Sequence, residues 1–101
     1  MGDISVQYQT GRLTAVDCAG KTVGYVSFPQ IRKGLVNIER VQIAPEYRGR
    51  GVEAVLMDAL VSHLKQKGTK AALTSPMAQR YAAEHSEWKT VLPESMHMTT
   101  H

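Results

Sequence analysis

The chain has 101 residues, of which 43% are hydrophobic and 21% are charged, and its formal net charge is +3. This length and composition are typical of one globular domain with a hydrophobic core of its own, and they argue against an intrinsically disordered chain. No apolar run approaches the roughly 18 residues that a membrane-spanning helix requires, so we expect no membrane span.

The first half of the chain shows the two-residue period of β-strands. Four strands are predicted, in the stretches ISVQYQ, RLTAVD, TVGYVSF and LVNIERVQI. Turns are expected between them at TG, DCAGK and RKG, because glycine and aspartate favour turn conformations. Pro29 is expected to end the third strand, since proline cannot donate a hydrogen bond to a neighbouring strand.

The fourth predicted strand contains an irregularity. Its alternation of apolar and polar residues changes phase between Ile38 and Val41, so the two side chains cannot share one flat face. A β-bulge near Glu39 and Arg40 would reconcile them, and bulges are frequent beside active sites.

The second half of the chain changes to the period of an α-helix. From Val52 onwards apolar residues recur three and four positions apart, which predicts an amphipathic helix that ends near Gly68. A short strand, KAALT, follows, and a second helix then begins with Ser75 as its N-cap and Pro76 in its first position.

These elements predict an α/β fold with the order β-β-β-β-α-β-α. The early hairpins and the later crossover helix predict a mixed, mostly antiparallel sheet with two helices. We expect residues 1–95 to form a single domain and residues 96–101 to form a flexible tail.

The junction between the fourth strand and the first helix has the sequence RGRGVE, residues 48–53. Gly49 and Gly51 allow the backbone to curl so that several N–H groups point inward, at a helix end that is already positive. Arg48 and Arg50 add fixed positive charge, so the turn is suited to an anion such as a pyrophosphate. A tight turn kept soluble by its arginines explains the same residues equally well.

The turn and its surroundings resemble the acyl-CoA-dependent N-acetyltransferases of the GNAT superfamily. Their pyrophosphate loop begins with arginine or glutamine, has glycine in fourth place, and has glycine or alanine in sixth place. Arg48 fills the first place and Gly51 the fourth, whereas Glu53 stands in the sixth. The chain is similar to a short GNAT-like subfamily that lacks the superfamily's early helical pair. In the stretch SPMAQRYAAEHSEW, the residues that agree with that subfamily are Pro76, Ala78, Tyr81, His85, Glu87 and Trp88.

The resemblance implies that the chain binds acetyl-CoA and an amine acceptor. The pantetheine arm would pair with the backbone of the fourth strand, and the pyrophosphate would bind backbone N–H groups of the turn. The cofactor-binding residues that the resemblance implies are Val41, Gln42, Ile43, Arg48, Gly49, Arg50, Gly51, Val52 and Glu53. The amine would attack the thioester directly in a ternary complex, so no covalent enzyme intermediate is required.

The chain also departs from the family pattern. A histidine and an acidic residue precede the loop in the subfamily, and Arg40 and Gln42 replace them here. Glu53 introduces negative charge where a diphosphate would approach, which weakens binding unless its side chain turns outward. The chain is therefore expected to bind CoA more weakly than the family pattern implies.

The candidate catalytic residues are Ser75, Tyr81 and Glu39. Ser75 replaces the subfamily's cysteine and could line the thioester site, but the role of helix N-cap explains it as well. Tyr81 could protonate the leaving thiolate, or it could be a core residue on an apolar helix face. The proton of the amine would be accepted by Glu39, His85 or water.

Two functional hypotheses follow. The first is an acetyl-CoA-dependent N-acetyltransferase that acts on a small amine or a protein amine, and the alternative is a catalytically degenerate CoA-binding or regulatory module. Nucleic acid is not an expected partner, because six aromatic residues offer few stacking platforms, whereas an oligomer is compatible with the sequence.

The remaining features bear on location and metal binding. A single cysteine, Cys18, and an N-terminus without the features of a secretory signal predict a cytoplasmic protein. No metal site is expected, because the histidines and methionines of the tail, Met96, His97, Met98 and His101, do not form a rigid ligand set.

Overall fold

A computed structural model of the chain describes residues 4–93. The predicted tail 96–101, its histidines and methionines, and both ends of the predicted domain 1–95 lie outside the described residues. Seven strands and two α-helices are present in the described part, together with 3-10 helices over Pro45–Tyr47 and Ser86–Thr90. The strands and helices are β1 (Ser5–Gln9), β2 (Arg12–Val16), β3 (Thr22–Ser27), β4 (Gln30–Arg32), β5 (Leu35–Ile38), β6 (Arg40–Ile43), α1 (Val52–Lys67), β7 (Lys70–Leu73) and α2 (Pro76–Glu84).

The strands form two hydrogen-bonded sheets. The first has the order β1-β2-β3-β6 and is antiparallel throughout. The second has the order β4-β5-β7, in which β4 and β5 are antiparallel and β5 and β7 are parallel. The architecture is therefore the predicted α/β fold with a mixed, mostly antiparallel arrangement of strands and two helices.

The fourth predicted strand differs from the structure, because LVNIERVQI forms two strands that belong to different sheets. The chain passes from β5 to β6 at Glu39, where the predicted β-bulge lies. Arg40 is the register partner of Ser27, and the Glu39 amide also donates to the Ser27 carbonyl at 3.0 Å. Two residues of one strand therefore face one residue of the other, which confirms the bulge.

Strand β4 is a further element that the sequence pattern does not predict. It begins directly after Pro29, which is the residue expected to end the third strand, and all three of its residues are exposed. An exposed strand carries no alternation of buried and exposed positions, so no apolar period marks it.

The helices bury their apolar stripes against the strands. Gly68 ends α1 in the left-handed conformation at φ 65°, as expected for a C-terminal glycine, and its amide donates to the carbonyls of Leu64 and Lys65. The core residues that α1 contributes are Val52, Leu56, Met57, Leu60, Val61 and Leu64. Among residues 4–93, no helix has both the length and the hydropathy needed to cross a bilayer.

Candidate functional site

The two sheets separate immediately after Ile38. The Ile38 carbonyl accepts hydrogen bonds from the amides of Thr74 and Ser75, both at 3.1 Å, at the point where β7 leads into α2. Beyond this point the chain continues into β6, which has β3 as its one strand neighbour in the described part of the chain. One edge of β6 therefore faces away from β3 and has no strand neighbour among the described residues.

The backbone of β6 presents hydrogen-bonding groups along its open edge. The Ala44 amide donates to the Val23 carbonyl at 2.8 Å, so Ala44 directs its backbone groups toward β3. Gln42 does the same, because successive residues of a strand direct these groups to opposite sides. Val41 and Ile43 consequently direct their N–H and C=O groups to the open edge, while their side chains are buried. This edge is suited to an extended ligand with amide groups of its own.

The RGRGVE turn connects this edge to the first turn of α1. Gly49 and Gly51 have φ values of 77° and 86°, in the left-handed region that glycine adopts without strain. Gly51 is the N-cap of α1 and offers no side chain to cap the helix. The first amides of the helix are therefore not satisfied by a side chain.

The turn uses some of its amides internally. Arg48 donates its amide to the Pro45 carbonyl at 3.3 Å, and Arg50 donates to the Tyr47 carbonyl at 3.1 Å. Four amides of the turn have no such acceptor among the described residues, namely those of Gly49, Gly51, Val52 and Glu53. The turn thus offers four amides rather than the continuous run of six that the resemblance implies.

The charged groups of the turn lie at the surface. Arg48 and Arg50 are exposed, and the Arg50 guanidinium lies 5.9 Å from the centre of the Tyr47 ring. Within residues 4–93, neither arginine forms an ion pair, so both charges are available to a ligand. Glu53 is half-buried in the first turn of α1, and Val52 beside it is fixed in the core at 1% exposure.

Two of the predicted catalytic residues lie on either side of the point where the sheets separate. Ser75 is 4% exposed, and its hydroxyl oxygen accepts from the Ala78 amide at 3.3 Å, which is the geometry of a helix N-cap. Glu39 is exposed on the bulge, and its carboxylate accepts from the Ser27 hydroxyl at 3.4 Å. The fold brings these residues together although they are distant in the sequence.

Tyr81 links the two helices that follow the separating strands. It is largely buried, and its hydroxyl donates to the Asp58 carboxylate of α1 at 2.9 Å. Burial raises the pKa of Tyr81 above its usual range, and the hydrogen bond to Asp58 adds to that effect. Negative charge on Glu87 and Glu53 raises this pKa further. Sequence reasoning did not identify Asp58, because the spacing of the two residues gives no local signal.

His85, the C-cap residue that follows α2, packs against Tyr81 of that helix. The two rings are stacked, with centroids 3.8 Å apart and an interplanar angle of 7°. The His85 Nδ1 atom lies 2.8 Å from the Tyr81 carbonyl oxygen. Because a carbonyl oxygen only accepts, Nδ1 carries the hydrogen and donates it, which leaves Nε2 of the neutral ring as an acceptor.

Other features of the surface lie away from the turn. A cleft of about 760 Å³ lies beside the C-terminal half of α1, where His63 and Lys67 line it together with the turn between β1 and β2. In residues 4–93, no group of three or more histidine, cysteine, aspartate or glutamate side chains is placed to hold a metal ion.

Comparison with known proteins identifies what this arrangement is similar to. A family model described as GCN5-related N-acetyl-transferase matches residues 13–91. The structure is similar to the solution structure of a GCN5-like protein from Staphylococcus aureus, with a TM-score of 0.73 and 17% identity over 98% of this chain and 100% of that one. No curated protein matches the chain as a relative.

Two larger proteins share the fold over part of their length. One is the GNAT-family protein YhbS from Escherichia coli, solved in complex with CoA, with a TM-score of 0.58 and 22% identity over 76% of this chain and 43% of that one. The other is the ribosomal-protein-S18-alanine N-acetyltransferase from Escherichia coli, with a TM-score of 0.60 and 18% identity over 72% of this chain and 48% of that one. The chain thus spans about half the length of each.

Proposed function

The chain belongs to the GCN5-related N-acetyltransferase family, and we propose that it transfers the acetyl group of acetyl-CoA directly to an amine in a ternary complex. The observation that carries this proposal is the succession of two backbone features suited to CoA. The open edge of β6 is followed, after the 3-10 helix Pro45–Tyr47, by a turn with four available amides and two arginines without ion pairs among the described residues.

The residues of the turn fit a diphosphate. Four amides without an internal acceptor, from Gly49, Gly51, Val52 and Glu53, lie at or just before the positive end of α1. Arg48 and Arg50 add guanidinium groups that bind phosphate oxygens in a bidentate manner. The Glu53 carboxylate opposes this attraction, so binding is expected to be weaker than with glycine in its place.

The open edge of β6 fits the amide groups of the pantetheine arm. Val41 and Ile43 would each donate an N–H and accept through a carbonyl, as an added strand does. The edge leads toward the bulge at Glu39, and Ser75 lies close to that bulge because its amide donates to the Ile38 carbonyl. Acetyl-CoA, when bound, supplies the acetyl group as a thioester.

The transfer needs a proton acceptor and benefits from a proton donor. The amine nitrogen forms a bond to the acetyl carbon, the carbon–sulfur bond breaks, and the sulfur leaves as a thiolate. Glu39, exposed on the bulge, would accept the proton that the amine loses. Tyr81 carries its proton at neutral pH and would supply it to the thiolate once its hydroxyl turns from Asp58, although its raised pKa disfavours that donation.

Calorimetric titration of CoA tests the binding half of the proposal. Wild type should bind CoA, Glu53→Gly should bind it more tightly, and Arg48→Ala should bind it more weakly. Glu84→Gly is a matched control, because it makes the same change in net charge at a residue outside the turn. Undetectable binding by both wild type and Glu53→Gly would refute the proposal.

A second candidate function is a CoA-binding module without transferase activity. The observation in its favour is that the three candidate catalytic side chains already have hydrogen-bond partners. Ser75 caps α2, Glu39 accepts from Ser27, and Tyr81 donates to Asp58. Release of free CoA thiol from acetyl-CoA in the presence of a panel of amines separates the two functions, since the module would bind CoA without turnover.

A further inference from the structure

The solvent-facing side of the first sheet carries a row of polar residues that ends at the proposed site. Cross-strand register pairs Gln9 with Arg12, Arg12 with Ser27, and Ser27 with Arg40. These four residues, here called the arginine row, therefore lie side by side across β1, β2, β3 and β6. The neighbours that point the other way along three of these strands, Leu13, Val26 and Val41, are buried in the core.

The two arginines of the row have no carboxylate partner in the described residues. The ion pair found within residues 4–93 joins Lys21 to Glu46. Arg12 lies with its guanidinium 4.2 Å from the centre of the Tyr25 ring, which holds the planar group in place without neutralising it. Arg40 is exposed at the start of β6. The row therefore carries two guanidinium groups that form no ion pair within residues 4–93, two strand spacings or about 10 Å apart at the backbone.

A single carboxylate lies between these positive groups. Glu39 is held at the row because its carboxylate accepts from the Ser27 hydroxyl, and Ser27 stands between Arg12 and Arg40. The charge order across the sheet is therefore positive, negative, positive. This pattern is complementary to a ligand that carries an ammonium group next to an anionic group.

We propose that the arginine row binds the acceptor, and that the acceptor is an amine that also carries an oxyanion, either a carboxylate or a phosphate. Arg40, which is next to Glu39 in the chain, binds the oxyanion, because a guanidinium group matches the geometry of carboxylate and of phosphate, and Arg12 adds positive charge to the row. Glu39 receives the ammonium group and accepts the proton that the amine must lose before it forms the nitrogen–carbon bond. The proposal rests on the proposed acetyl transfer and adds the chemical class of its acceptor.

Matched acceptors test the proposal. The specificity constant kcat/KM is measured by thiol release for leucine against leucinamide and for O-phosphoethanolamine against ethanolamine. Wild type should favour the oxyanion-bearing member of at least one pair by roughly tenfold, because only that member accepts a charge-assisted hydrogen bond from the guanidinium group. The pair that shows the preference identifies the oxyanion as carboxylate or phosphate.

Variants locate the preference on the sheet. Arg40→Gln should lower kcat/KM for the oxyanion-bearing amine more than for the neutral amine and so remove the preference, and Arg32→Gln in β4 should leave the preference unchanged. Equal rates with both members of each pair in wild type would overturn the proposal. An equal loss with both members in Arg40→Gln would overturn it as well.

A binding measurement separates this proposal from the proposed acetyl transfer. If no amine is acetylated, the transferase function fails, and the arginine row is then tested by NMR titration of the protein with the same compounds. Shifts of the Ser27 and Arg40 amide signals with leucine or O-phosphoethanolamine, and their absence with the neutral partners, would support the site. No selective shift with either compound would refute it.

Discussion

Substitution of Gly24 by alanine is expected to disturb the contact between β3, β6 and α1. Gly24 is buried in β3 and is the register partner of Ile43. A Cβ atom at this position would lie 3.0 Å from the Gln42 carbonyl oxygen, 3.0 Å from Ile43 Cδ1 and 3.2 Å from Val52 Cγ1. The Gln42 oxygen belongs to the backbone, so it moves only if β6 moves.

The expected loss of stability follows from this crowding. An extra methyl group in a well-packed core costs about 1–3 kcal/mol, because neighbouring atoms must shift. For a domain of this size, each kcal/mol lowers Tm by roughly 4–8 °C. Urea denaturation of wild type and Gly24→Ala should show a lower midpoint with an unchanged dependence on urea concentration.

The same substitution should weaken CoA binding under conditions in which the variant remains folded. Val52 is the first residue of α1 and Gln42 lies in β6, so displacement of either alters the relation between the turn and the open edge. Calorimetric titration of CoA against the folded variant measures this effect.

A double substitution tests whether crowding is the cause. Ile43→Val removes the Cδ1 atom and by itself should cost about 0.5–1.5 kcal/mol. In the Gly24→Ala background it should cost less or even restore stability, because it relieves the contact. Strict additivity of the two substitutions, or a Gly24→Ala variant within about 0.5 kcal/mol of wild type, would show the reasoning to be wrong.

Two further predictions concern α2. Ser75→Ala should lower the free energy of unfolding, measured by urea denaturation, by about 1 kcal/mol, because the side-chain oxygen caps the helix. Ser75→Asp should retain most of the stability of wild type, since aspartate is also an N-cap residue. Equal stability of all three proteins would exclude the capping role. The folded chain binds the Tyr81 proton more tightly than the unfolded chain, so this contribution to stability is complete below pH about 10 and is lost as the pH rises through the higher folded pKa. Alkaline denaturation should therefore be steeper for wild type than for Tyr81→Phe, and superimposable pH profiles would contradict the assignment.

Local sequence patterns predicted the elements that build the candidate site. The three- and four-residue spacing of apolar side chains predicted α1, and Ser75 predicted the start of α2. The phase change between Ile38 and Val41 predicted the bulge at Glu39, since the count of residues between two buried positions is a local property. The order of the elements predicted a mixed α/β fold, and the resemblance of the RGRGVE turn and of the SPMAQRYAAEHSEW stretch to the GNAT superfamily predicted a GNAT-like one.

Strand pairing produced the features that the sequence pattern did not predict. The residues of LVNIERVQI are continuous in sequence, yet Leu35 pairs with Lys70 in one sheet and Arg40 with Ser27 in the other. The arginine row depends on long-range strand pairing, and the hydrogen bond from Tyr81 to Asp58 depends on the long-range approach of α2 to α1. The engagement of two amides within the turn depends on the 3-10 helix that precedes it.

By itself, the sequence determined which residues form helices, turns and a bulge, because backbone dihedral preference and apolar period are properties of neighbouring residues. The tertiary structure decided which strand edge stays open and which side chains meet across it. Those outcomes depend on contacts between residues that are far apart in the sequence. Such contacts form only where the apolar surface that they bury outweighs the entropy cost of closing the loops between them.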